Sequence, residues 1–203
     1  MEIIERMERV RDILGTPNPL TAKKIQNQLN RQMQDFIARS PLVMLSTVDE
    51  AGFPTVSPKG DHPGFVKIRD AGTLLIPERK GNKLAFTFEN LLRQPRAGLL
   101  FIVPGTAETL RVHGRCRVIH DSALGRELAS ATQDALLVIE LSVVSCYFHC
   151  GKALLRGRAW DAESWPPRQR VSFGAEIAGT DPAAAALAEQ IDSAIDARYQ
   201  ADL

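Results

Sequence analysis

The sequence predicts a mainly β, α+β protein: an antiparallel β-barrel with helices flanking it. Three observations predict it. Short apolar or alternating runs of strand length follow one another between residues 42 and 148. Tight turns and short helical inserts join them, which favours an antiparallel barrel over a doubly wound sheet. Helical periodicity dominates the two ends of the chain.

Taken in order, residues 3–14 place Ile3, Met7, Val10 and Leu14 at helical spacing, and Thr16-Pro17-Asn18-Pro19 breaks the chain. Thr21 is an N-cap candidate for a second helix carrying Ile25, Leu29, Met33 and Ile37, ended by Ser40-Pro41. Residues 42–48 and 53–57 read as a hairpin around the turn Asp49-Glu50-Ala51-Gly52. Residues 65–69 and 73–77 form a second strand pair around Asp70-Ala71-Gly72, and residues 82–94 look helical. Residues 98–103 are continuously apolar. Residues 108–120 alternate, with Leu110, Val112, Cys116 and Val118 facing inward. Asp121 caps a short helix to about residue 131. Residues 136–148 are the longest strand candidate, giving six or seven strands in all. Asp181 as N-cap and Pro182 at the first position open a closing helix with Leu187, Ile191 and Ile195 on one stripe. Residues 161–181 read as an irregular surface connection. The whole of 1–203 reads as one domain, with helices in 1–40 and a helical extension in 161–203 packed on it.

The 203 residues are 44% hydrophobic and 24% charged, the balance of an ordinary globular domain that buries a core without staples. A net charge of +1 supplies no global field for nucleic acid or membrane, so an anion site must be local. Three cysteines argue against a disulfide framework and fit a reducing compartment. With no signal-peptide core at its start and no membrane-length apolar run, the chain reads as soluble and cytoplasmic.

GxGxxG, Walker A and GxSxG motifs are absent. Cys146, His149 and Cys150 lack zinc-ligand spacing and read as thiols near a strand end rather than a metal site. Four other segments could carry chemistry. In Ser57-Pro58-Lys59-Gly60-Asp61, Gly60 lets a ligand approach the backbone, while Ser57 and Lys59 offer donors; the bland alternative is a tight loop with a solvated lysine. Residues 76–83, IPERKGNK, lead from a strand towards a helix start. There Arg79, Lys80 and Lys83 and exposed N–H groups suit one phosphate monoester; alone, a charged surface turn is the commoner outcome. In ETLRVHG, Thr109, Arg111 and His113 share a strand face, which suits either a ligand or plain solvent. From His149 to Trp160 a strand delivers many donors, for a ligand, for a second subunit or for an ordinary helix turn.

The ordered set SPKGD with PGFV, IPERKGNK, GLLFIVPG, ETLRVHG and HCGKALLR resembles the FMN-dependent proteins related to pyridoxamine 5′-phosphate oxidase, over roughly residues 20–165. The likeness is to a branch of unassigned bacterial flavoproteins. It implies a Greek-key split β-barrel that forms a homodimer with FMN at the subunit interface, acting as an FMN-dependent oxidoreductase on a small-molecule substrate. In that family's pattern the phosphate falls to Arg79, Asn82 and Lys83, and the ring-contacting loop to Ser57, Pro58, Lys59 and Gly60. Thr109 and Arg111 match a strand that touches the flavin. His149, Lys152 and Arg156 match a segment reaching FMN from the partner subunit. Lys59 is placed to stabilise the reduced, anionic ring; no catalytic acid or base is assigned. The oxidase's own Arg-x-Val-Leu-Leu-Lys strand is replaced here by Thr55-Val56-Ser57-Pro58-Lys59, and its Arg-x-His element has no clear match at residues 155–158. Oxidation of pyridoxamine phosphate is therefore not expected. A non-catalytic flavin sensor or store, a barrel binding deazaflavin or haem, and an interaction domain without cofactor remain the rivals.

Overall fold

The computed structural model describes every residue except Asn82, Thr180 and Leu203. Its centre is a seven-stranded sheet of β1 (Leu42–Val48), β2 (Pro54–Gly60), β3 (Lys67–Asp70), β4 (Thr73–Glu78), β5 (Arg96–Ile102), β6 (Thr109–Ile119) and β7 (Leu137–His149). The spatial order is β2-β1-β5-β6-β7-β4-β3, and every neighbouring pair is antiparallel. Strands from both halves of that order share one core: Val43, Leu45, Leu74, Ile76, Leu99, Phe101, Leu110, Val112, Ile139 and Leu141. The sheet therefore wraps around its apolar face. It does not close, because among the described residues β2 and β3 are edges that pair with no further strand. This is the split barrel.

Local chemistry explains the strands. In β1 alternate residues are buried, so Val43, Leu45 and Thr47 face inward. Each fully buried Leu, Ile or Phe contributes about 1.5–3 kcal/mol of transfer free energy. The Asp49 carboxylate accepts from the Phe53 N–H at 2.8 Å and closes the first hairpin. The β6–β7 register slips between His113 and Gly114. Only glycine fits at the slip, since a Cβ there would lie 2.3 Å from Leu141 Cδ2 and 2.4 Å from the Ser142 carbonyl oxygen.

Helix boundaries depart from the sequence reading in several places. The second helix does not run from Thr21. Residues 19–22 make a single turn, α2 (Pro19–Ala22), capped by Asn18, and the long helix α3 (Arg31–Arg39) starts after Asn30, whose side chain accepts from Met33 N–H at 3.0 Å. Between them Gln26 exchanges backbone hydrogen bonds with Cys146 at 3.0 and 2.8 Å, and that pairing removes Gln26 from any helix. Helix α4 (Phe86–Arg93) starts late because Lys83 and Ala85 have left-handed backbone, φ 64° and 56°. Residues 161–181 are not wholly irregular: they contain α7 (Phe173–Ala178), and Gly174 there lets the closing helix α8 (Ala185–Asp202) pack so near that a Cβ would lie 1.9 Å from the Ala188 carbonyl oxygen. The first helix begins at Met7 rather than residue 3, the helix after Asp121 ends at Glu127 rather than about residue 131, and a 3-10 turn (Pro182–Ala184) precedes the closing helix; the two aspartate caps match. Asp121 caps α5 (Ser122–Glu127) through Ala123 and Leu124 N–H, and Asp181 accepts from Ala183 N–H. The remaining helices are α1 (Met7–Leu14), whose residues are all exposed except the half-buried Val10, and α6 (Lys152–Arg156). Among the described residues no helix is long and apolar enough to cross a membrane.

Candidate functional site: a cationic cavity at the barrel split

Where the barrel fails to close, a cavity of about 1170 Å³ lies between the β2 strand end, the β4 strand end and the start of α4. Ser57, Pro58, Lys59, Gly60, Arg79 and Lys83 all line it, so two segments distant in sequence meet there. Asn82 lies outside the described residues. Thr109, His149, Lys152 and Arg156 do not line this cavity, and Arg111 lines a separate groove.

Burial of polar groups holds α4 against the first hairpin. The buried Asn90 amide donates to the Thr47 hydroxyl at 2.9 Å and the Thr55 hydroxyl at 3.0 Å, and the two hydroxyls are 2.9 Å apart. One turn earlier, the Thr87 hydroxyl donates to Ser57 Oγ at 3.3 Å. The α4 N-terminus therefore sits beside the 57–60 segment. Among the described residues no side chain caps that helix end, which leaves first-turn N–H groups as donors for an anion. Two left-handed non-glycine residues just before it are backbone strain of the kind that clusters at ligand sites.

Five basic side chains line the cavity, Lys59, Arg79, Lys80, Lys83 and Arg198, with three acids, Asp61, Glu78 and Asp202. Two of the bases are already neutralised. Lys59 Nζ donates to Glu78 at 2.6 Å. Arg79 donates through Nε and Nη2 to Asp61 Oδ2 at 3.2 and 3.1 Å, and through Nη2 to the Leu128 carbonyl at 2.7 Å. These contacts fix the guanidinium plane, and among the described residues they leave the buried Nη1 without a partner. A buried donor is costly to leave unpaired, so Nη1 fits an acceptor supplied by a ligand. The bases exceed the acids by two, the charge of one phosphate dianion. Residues of this set suit a phosphate monoester, and FMN carries one.

The sequence reading missed Asp61, Glu78, Thr87 and the Leu128 carbonyl as parts of this site. Asp61 and Glu78 stand inside the strings that carry Lys59 and Arg79, a usable signal; the Leu128 carbonyl has none. Away from the cavity, a cationic and aromatic cluster gathers on β6 and β7. Arg111 donates to the Tyr147 hydroxyl at 3.1 Å, Lys24 lies 5.2 Å over the Tyr147 ring, and the His149 ring is 5.0 Å from it. Burial, then repulsion from Arg111, holds His113 below its ordinary pKa; burial, Arg111, Lys24 and His113 do the same to His149. Among the described residues the buried His149 Nε2 has no partner. The thiols are poor nucleophiles where buried: burial pushes Cys116 up to about 12 and raises Cys146, whose Sγ donates to the Gln28 carbonyl at 3.2 Å.

Residues 29–150, which hold the whole barrel and most of the residues of both clusters, match the family model described as pyridoxamine 5′-phosphate oxidase. The chain belongs to that family. Among solved structures it is similar to HupZ of Group A Streptococcus, with 18% identity, TM-score 0.50, and 60% of this chain and 99% of that chain covered. It is also similar to a putative pyridoxamine 5′-phosphate oxidase of Lactobacillus delbrueckii, with 23% identity, TM-score 0.47 and coverages of 60% and 95%. An F420 reductase has 17% identity, TM-score 0.42 and coverages of 57% and 94%. At these identities the likeness is one of fold. No curated protein sequence matches the chain. In this pyridoxamine 5′-phosphate oxidase-related chain the α6–α8 region, residues 152–202, lies beyond the family match, and its Arg198 and Asp202 form one wall of the cavity.

Proposed function

We propose that this protein is an FMN-dependent oxidoreductase that works as a homodimer on a small-molecule substrate. The observation that carries the reading is Arg79: a guanidinium pinned by Asp61 and Leu128, with its buried Nη1 unpartnered among the described residues, in the lining of a cavity with two surplus bases. On this reading Arg79, Lys83 and the α4 N-terminus hold the phosphate, and Ser57 to Gly60 lie along the ring. FMN, when bound, supplies hydride acceptance from a reduced donor and electron delivery to an acceptor. The chain's residues bind and orient it. Lys59 faces the cavity with its charge shared with Glu78, so it can donate a hydrogen bond to the ring's polar edge while adding little net field. Thr109, His149, Lys152 and Arg156 lie off the cavity of their own chain, so their contact with FMN requires a second copy.

The test is direct. Purified protein is incubated with FMN and desalted, and the retained chromophore is read by absorbance and mass spectrometry. Light scattering gives the oligomeric state. NADH and NADPH are then tried as reductants with turnover in air. Retained FMN with multiple turnovers supports the enzyme. Retention without reduction by either nucleotide reassigns the protein to flavin storage or sensing. A preparation that stays colourless refutes the flavin site.

A further inference from the structure

Beyond the family match, α7 and α8 form a helical arm. Asp192 on α8 caps α7, accepting from the Ser172 hydroxyl at 2.6 Å and the Gly174 N–H at 2.8 Å. Arg170 pairs with Asp196 at 2.8 Å. With Gly174 set against Ala188, these contacts make the two helices one unit. Helix α8 has no buried residue, so apolar packing does not fix its far end on the barrel.

A polar tie does. The last four carbonyls of a helix have no partner within it. Here the Asp202 carbonyl accepts from Gln133 Nε2 at 2.8 Å, and Asp202 is half-buried. Gln133 is itself held in place. Its N–H donates to Ser130 Oγ at 3.1 Å, and its carbonyl accepts from the Ser130 N–H at 2.9 Å. Its Oε1 accepts from the Lys80 N–H at 3.4 Å. One glutamine side chain thus joins the end of α8 to the segment that carries Arg79 and Lys80.

The tie brings a charge to the cavity. Arg198, one turn before Asp202, is exposed and stands in the cavity lining. Lys59 and Arg79 are paired with Glu78 and Asp61, whereas among the described residues Arg198 forms no ion pair. This wall needs a cation if an anion is to bind beside it. A helix C-terminus carries partial negative charge, and Asp202 in the same lining adds a full one.

We infer that Arg198 is a further phosphate-binding residue of this cavity, carried in by the C-terminal arm and held there through Gln133. The barrel grips the phosphate with Arg79, Lys83 and the α4 N-terminus; the arm adds a second guanidinium from the α8 wall. Release of the ligand then requires Arg198 to let go, so the arm sets how long the cofactor stays. The inference rests on the reading of this cavity as the FMN phosphate site.

The test compares FMN with riboflavin, which lacks the phosphate, by fluorescence titration and stopped-flow dissociation. Arg198→Gln weakens FMN binding at least about tenfold, the loss of one charge-assisted bond, mainly through faster dissociation. It leaves riboflavin binding unchanged. Asp202→Asn tightens FMN binding by removing a repulsive charge. Gln133→Leu cuts the tie and speeds FMN release. Unchanged FMN dissociation in Arg198→Gln overturns the inference and leaves the FMN reading intact. So does an equal loss for FMN and riboflavin, which assigns Arg198 to the ring. A shift in Tm alone assigns it to the helix dipole and also overturns it. If the parent protein binds neither flavin, the FMN reading falls and inorganic phosphate decides the inference. Slower amide exchange in the last two turns of α8 with phosphate, lost in Arg198→Gln, upholds an anion site closed by the arm. No slowing overturns it.

Discussion

Replacing Arg79 by Gln separates its two jobs. In the structure its three hydrogen bonds are internal, two to Asp61 and one to Leu128, all through Nε and Nη2, and among the described residues Nη1 has no partner. Both partners of the ion pair keep only 16% side-chain exposure, so breaking it leaves a largely buried Asp61 carboxylate uncompensated. Removing one partner of a buried pair costs about 3–5 kcal/mol, and the residual exposure places Arg79→Gln near or below the lower end. Loss of a charge-assisted bond to phosphate costs about 1.5–3 kcal/mol of binding, or roughly 10- to 150-fold in Kd. These effects are resolved by the double variant Asp61→Asn/Arg79→Gln. It removes both charges, so most of the stability returns while FMN affinity stays low. Urea unfolding measures the first quantity and quenching of FMN fluorescence the second. If the double variant binds FMN as tightly as the parent, Arg79 does not hold the phosphate and the assignment is refuted.

Other expectations follow from the same geometry. Asn90→Ala leaves the hydroxyls of buried Thr47 and half-buried Thr55 short of a donor and loosens α4, costing about 1–3 kcal/mol by urea unfolding and weakening FMN binding in parallel. Gly114→Ala drives a methyl into Leu141 and the Ser142 carbonyl, and calorimetry registers a loss of about 1–3 kcal/mol. His113 and His149 have folded pKa values below the unfolded value of 6.5, so the unfolded chain binds their protons first. Their contribution to stability is complete above pH 6.5 and is lost as pH falls through the folded values; a His113→Gln/His149→Gln variant flattens the urea-midpoint profile in that window. A profile that keeps its slope in the double variant assigns the titration to other groups.

What was legible in the sequence was local. Asp49 closing its turn, Asp121 capping α5 and the alternation of Leu110, Val112 and Cys116 all depend on residues a few positions apart, whose geometry is set by backbone sterics and nearby hydrogen bonds. The resemblance carried by SPKGD and IPERKGNK extended that reading to the barrel, and the family match upholds it. Tertiary structure alone decided the rest. The Gln26–Cys146 pairing that cut the second helix short, the Leu128 carbonyl that pins Arg79, and the Arg96–Arg115 cross-strand pair join residues that only long-range strand register brings together. Register follows from burying one whole face of the sheet, a property of all seven strands at once that no single segment encodes.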